Sequence, residues 1–161
     1  MSGTAADIGG IVRALGLVPH PEGGFFRETF RDPGVVTGNR PGTKRNASTS
    51  ILFLVPAGGR SRLHRLASEE TWIFLLGGPL AIIELEHCAP PRRTVIGKGS
   101  AQVHAVRADT WFGAVTEPGS PFTLVACTVK PGFDFADFEL GERETLQKEY
   151  PQAREILEIL A

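Results

Sequence analysis

The chain has 161 residues, 42% hydrophobic and 22% charged, with 19 Gly and 12 Pro. That is enough apolar material for one core, which excludes extended disorder and collagen-like repeats, and no apolar run approaches the roughly 18 residues of a membrane helix. Lys and Arg number 17 against 18 Asp and Glu, a net charge of −1 with no basic run, so neither nucleic acid nor a membrane is an expected partner. The start lacks a basic region followed by an apolar block, and a soluble, cytoplasmic protein is expected.

In chain order, residues 7–15 read as a short helix: Ile8, Ile11, Val12 and Leu15 share one face, Asp7 suits the N-cap and Gly16 stops it. Pro19, Pro21, Gly23 and Gly24 mark a turn into a strand-like run at 25–30. Residues 32–46 carry Pro33, Gly34, Gly38, Pro41 and Gly42 with few apolar side chains, and are expected to form a long flexible loop, either a lid or an insertion. Short β-rich runs follow at 48–55, 70–76, 80–86, 93–96, 102–106, 111–116 and 122–129, spaced as in an all-β sandwich or barrel. The intervening pieces are too short for crossover helices, which disfavours a parallel α/β sheet. Residues 142–160 turn helical, with Pro151 suited to a first turn and Ile156, Leu157 and Leu160 forming a stripe. One domain, 1–161, with its barrel core over about 17–140, accounts for the whole pattern. Cys88 and Cys127 have no zinc or CxxC spacing and read as unpaired thiols, Cys127 as a small core residue.

The segment from Gly58 to Gly77 carries the most chemistry. A turn delivers His64, and Glu70 opens the next strand. By the period-two rule Glu70, Trp72, Phe74 and Leu76 share one face, and Thr71, Ile73 and Leu75 the other. A carboxylate heading an aromatic face is placed for desolvation and a raised pKa, which suits acid–base work; the plainer reading is a solvated hairpin edge. Arg60, Arg62 and Arg65 around His64 read either as solvated loop charge or as a mouth for an anionic substrate. Gln102 and His104 share the more polar face of their run. Sheet edges and the outer face of Thr71, Ile73 and Leu75 point to a homodimer.

The spacing Gly58, five residues, His64, one residue, Leu66, three residues, Glu70, six residues, Gly77 resembles the first motif of the cupin superfamily. Leu66 stands where metal-binding cupins carry their second histidine. In the weaker second motif, Arg107 and Asp109 replace proline and glycine, and Phe112 stands at the last metal histidine. The blocks from Pro19 to Thr29, Ser48 to Ile51, Thr110 to Ala114 and Cys127 to Leu140 together resemble the uncharacterised cupin 5 branch; Ile73 departs from it, replacing a histidine that usually follows the tryptophan. The resemblance implies an all-β cupin jelly-roll sandwich or barrel, with an N-terminal helix and C-terminal helices packed outside. Of the four metal ligands it implies, only His64 and Glu70 remain, with His104 a third only if its strand points inward. No metal or other cofactor is therefore expected, beyond a weakly held divalent ion at His64 and Glu70.

The segments Gly24 to Thr29 and Leu63 to Arg65 also look like the metal-free nucleotide-sugar 3,5-epimerases. That likeness implies a small-molecule ligand and an isomerase or epimerase acting on a small anionic or sugar-like carbonyl compound. His64 would be the base, with Glu70 beside it as the second catalytic residue. Arg27, Glu28, Ser50, Arg65, Trp72, Gln102, His104, Trp111 and Phe112 are the residues expected to contact substrate. A non-catalytic metabolite- or sugar-binding cupin and a metal-dependent dioxygenase or isomerase are the alternatives.

Overall fold

In the computed structural model, which describes residues 7–161, helix α1 (Ile8–Leu15) ends as its sequence requires. The Asp7 carboxylate accepts from the Gly10 N–H at 2.8 Å, and Gly16 closes the helix in the left-handed region. The strands follow as β1 (Val18–Pro19), β2 (Phe25–Arg31), β3 (Val35–Thr37), β4 (Lys44–Asn46), β5 (Thr49–Pro56), β6 (Arg60–Leu66), β7 (Glu69–Gly77), β8 (Leu80–Glu84), β9 (Arg92–Ile96), β10 (Val103–Val106), β11 (Phe112–Thr116), β12 (Phe122–Lys130) and β13 (Phe138–Leu140). Helices α2 (Arg143–Glu149) and α3 (Arg154–Leu160) end the chain.

One sheet runs β1-β2-β5-β12-β7-β10 and the other β13-β6-β11-β8-β9, with antiparallel strand pairing throughout. Period-two side chains from both inner faces meet between them. Phe53, Trp72, Val125 and Cys127 from the first sheet pack on Leu80, Ile82, Ile96 and Phe112 from the second, all essentially inaccessible. The outer faces are covered unequally. Leu63, Trp111 and Leu85 pack beneath Leu146, Leu157 and Leu160 of the C-terminal helices, and α1 lies over Leu54, Phe122 and Leu124. This is the jelly-roll sandwich with external helices that the sequence leads one to expect. No helix among the described residues is long and apolar enough to cross a membrane.

Two expectations need correction. Residues 32–46 are not an open loop: β3 pairs with β4, and the hairpin is tied down at both ends. Arg45 makes a two-pronged ion pair with Asp137 at 2.7 and 2.9 Å, Asn39 donates to the Ala67 carbonyl at 2.8 Å, and Arg40 pairs with Asp109. Its anchors are polar, and Val35 and Val36 remain exposed, so hydrophobic periodicity gave no sign of it. His64 likewise sits in the strand β6 rather than on a turn. Leu63 packs under the C-terminal helices while His64 and Leu66 look inward, so each face of the strand mixes polar with apolar residues and no period-two pattern marks it.

Candidate functional site

Three local devices bring charged side chains to one end of the sandwich. The first is a bulge in β2. Glu28 pairs with Ile51 but Phe30 with Ser50, so Thr29 is extra. Past a bulge the faces exchange, and Glu28 and Arg31 therefore both face inward. There Arg31 Nε and Nη2 donate to the two Glu28 carboxylate oxygens at 2.8 and 2.9 Å. The second is a bulge in β6, where Phe112 opposes His64 but Ala114 opposes Ser61. It turns the Ser61 hydroxyl inward, onto Glu22 Oε1 at 2.8 Å. The third is the turn before β2. Glu22 accepts from the Arg62 N–H through its carbonyl at 2.7 Å, and the turn seats Gly23 (φ +106°) against the β6 backbone. A Cβ on Gly23 would lie 2.4 Å from the Arg60 carbonyl oxygen, so only glycine lets Glu22 come this close.

The result is a cavity of about 340 Å³, within the range of small-molecule sites. Its floor holds Glu22, His64, Glu70 and Cys127, and its walls include His20, Phe26, Phe53, Phe133, Phe135 and Phe138. His64 Nδ1 lies 2.7 Å from the Arg62 carbonyl, which can only accept, so Nδ1 carries a proton and Nε2 is the titrating nitrogen. Nε2 stands 3.3 Å from Glu22 Oε2 and 3.9 Å from Glu70 Oε2. Burial alone would lower the His64 pKa, but the two carboxylates outweigh it and hold it up at about 9. Glu22 is pushed up to about 7 by its burial, with the Glu70 charge adding to this and His64 and Ser61 opposing. Burial and the His64 charge lower His20 to about 4. Its Nδ1 accepts from the Glu22 N–H at 3.1 Å, which leaves the proton of the neutral ring on Nε2. Burial and the same two carboxylates hold the Cys127 thiol well above its usual range.

Of the residues singled out from sequence, His64, Glu70 and Glu28 line this cavity. The others do not. Arg27 alternates to the outer face between Phe26 and Glu28, and Ser50, between Thr49 and Ile51, spends its hydroxyl on Thr128 at 3.0 Å. Arg65 pairs with Glu139 at 2.8 Å and stacks over Trp111 on the helix side, outside the barrel. Trp72 and Phe112 are inaccessible core rings behind the floor, Phe112 with its centroid 4.3 Å from that of His64. Gln102 closes a turn onto the Gly97 carbonyl, and His104 binds Glu84 Oε2 at 2.8 Å beside Arg92 and Arg107, in a separate polar cleft. Arg60 and Arg62 also lie off the cavity, so the cationic cluster is no mouth; Arg31 is the one Lys or Arg among its lining residues. Sequence reasoning missed Glu22 and His20. Their signal was an acid and a histidine interleaved with Pro19, Pro21 and Gly23, in a turn that faced no strand until the fold was known.

Residues 10–141 match the family described as Cupin superfamily (DUF985), cupin 5. The chain belongs to this cupin family. A hypothetical protein from Leishmania major has 32% sequence identity to it, with 96% of this chain and 98% of that one covered at a TM-score of 0.87. A crystal structure of a Shewanella oneidensis protein also shares 32% identity, covering 99% and 98% at 0.85. Oxalate decarboxylase from Bacillus subtilis has the same fold at 12% identity and a TM-score of 0.56, over 89% of this cupin and 36% of that chain. No curated protein matches the sequence.

The cupin fold raises the question of a metal ion, and the donor set here does not fit one. Leu66 and Phe112 offer hydrocarbon at two ligand positions, and the His20 nitrogen nearest Glu22 is already engaged by a backbone N–H. Among the described residues, no group of three or more His, Cys, Asp or Glu side chains is arranged to hold an ion.

Proposed function

We propose that this cupin is a small-molecule enzyme that moves a proton α to a carbonyl, an isomerase or epimerase, with Glu22 and His64 as the acid–base pair. The observation that carries the reading is their contact at the floor of an aromatic cavity, 3.3 Å apart and both almost wholly buried. Flanked by two carboxylates, His64 is protonated at neutral pH and cannot serve as the resting base expected from sequence. Glu22, poised near neutrality, takes that role. Its carboxylate removes the α-proton while His64 Nε2–H protonates the carbonyl oxygen, giving an enediol. Returning a proton to the other face or the neighbouring carbon, and the hydroxyl proton to Nε2, restores both groups. With Arg27 and Arg65 outside the cavity and Arg31 fully paired, a sugar-like carbonyl compound suits the site better than an anionic one.

The test is solvent exchange. Ketoses, aldoses and amino ketones incubated with the protein in D₂O should gain deuterium α to the carbonyl in at least one compound, followed by NMR. Glu22→Gln and His64→Asn should each abolish that gain while remaining folded. Saturable binding of the same compound with no exchange would replace this reading with that of a binding module.

A further inference from the structure

One buried carboxylate of the cavity is answered only in part, by the His64 charge that it shares with Glu22. Glu70 is buried, with its side chain 9% exposed, and its Oε2 has no hydrogen-bond partner. The His64 Nε2–H has one proton to direct and lies closer to Glu22 than to Glu70, 3.3 against 3.9 Å. The remaining lining charges are already matched. Arg31 spends its five N–H groups on both Glu28 oxygens, the Asn46 amide oxygen and the Phe133 carbonyl. With Glu22 ionised, as it must be to act as the base, it and the protonated His64 neutralise each other. Glu70 is therefore left as a net negative charge deep in the cavity, and Asp134 adds a second acid at the rim. A buried, unpaired carboxylate is costly unless a donor or a cation meets it.

The walls suit a cation as well. The His20 ring packs edge-on against Phe26, Phe53 and Phe138 at centroid distances of 4.6 to 5.9 Å and is stacked with Phe135 at 6.4 Å. Ring faces attract cations through their quadrupole, and a carboxylate among aromatic walls is the usual chemistry of organic-ammonium recognition. From these observations we infer that the cavity takes a small organic cation, its ammonium on Glu70 and its apolar body among the phenylalanine rings. The inference rests on the reading of this cavity as a substrate site and narrows the substrate to an amine-bearing carbonyl compound.

Three probes of one shape separate charge from fit: benzylamine, benzyl alcohol and benzoate, titrated into the wild-type protein at neutral pH by calorimetry or NMR. Benzylammonium should bind at least about tenfold tighter than benzyl alcohol, and benzoate weakest of all. Glu70→Gln should bring the amine and alcohol to within about twofold, and Glu70→Asp should restore part of the gap. Equal or tighter binding of the alcohol or of benzoate would overturn the inference, as would no binding of any probe at millimolar concentration. The ranking in the wild-type protein decides the matter even if a Glu70 variant fails to fold. Amine preference without deuterium exchange would remove the proton-transfer reading alone, and exchange without amine preference would remove this one alone.

Discussion

His64 ties site chemistry to stability. Its pKa is raised from 6.5 to about 9 in the folded protein, so the native state holds a proton that the unfolded chain releases over that window. Stability from this group is full below pH 6.5 and is lost as pH rises toward 9. Glu22, raised from 4.5 to about 7, acts in the same sense at lower pH, whereas His20, lowered to about 4, acts oppositely between 4 and 6.5. These two largely offset each other, and His64 dominates above neutrality. The melting temperature should therefore fall by several degrees between pH 6.5 and 9, corresponding to about 1–3 kcal/mol for a fully buried group. His64→Asn should melt lower at pH 6.5, because Glu22 and Glu70 then face each other unrelieved, and should lose this decline. A flat wild-type profile would show that the carboxylates do not hold the imidazole protonated.

Among the elements, the turn before β2 and the bulges in β2 and β6 decide what the cavity contains. Gly23→Ala should cost about 1–3 kcal/mol from its positive φ alone. The 2.4 Å approach of its Cβ to the Arg60 carbonyl must also push the turn off β6. Because that turn carries Glu22, the variant should also weaken the fall in melting temperature above pH 6.5. Gly42→Ala is the control: its φ is also positive, +72°, but nothing lies within 4 Å of the added Cβ. It should lose less stability and keep the pH profile, as paired melts across pH would show. The same devices explain what was legible in the sequence. Runs such as Thr49–Pro56 and Phe122–Lys130 are rich in Val, Leu, Ile and Thr and declare themselves as strands. A period-two reading of β7 correctly sets Glu70 and Trp72 on one inward face. The same reading cannot foresee an extra residue at Thr29 or in β6, and each bulge moves a functional side chain across the sheet. Glu22 was illegible for a different reason: its place depends on a turn packing against a strand 39 residues away.

At the scale of the whole molecule, we expect the jelly roll to need no ion to close it. Its inner faces meet through Phe53, Trp72, Ile82 and Phe112, and its floor is bridged by Glu22, Ser61 and His64 through the protein's own bonds. A bound metal stabilises a fold by RT ln(1 + [M]/Kd), so a weak site at micromolar free ion adds almost nothing. Leu66 and Phe112 remove two donors from the cupin ligand set, and a divalent ion placed among the rest would have to displace the proton on His64 Nε2 before binding. Dialysis against a chelator should therefore shift the melting temperature by less than about 1 °C, leave far less than one ion per chain, and preserve the preference for benzylammonium over benzyl alcohol. Readding zinc, manganese or iron at micromolar concentration should change neither readout. One firmly held ion per chain, whose removal lowers the melting temperature by several degrees, would mean that Glu22, His64 and Glu70 serve as ligands. The proton assigned to Nε2 would then have no place in this site.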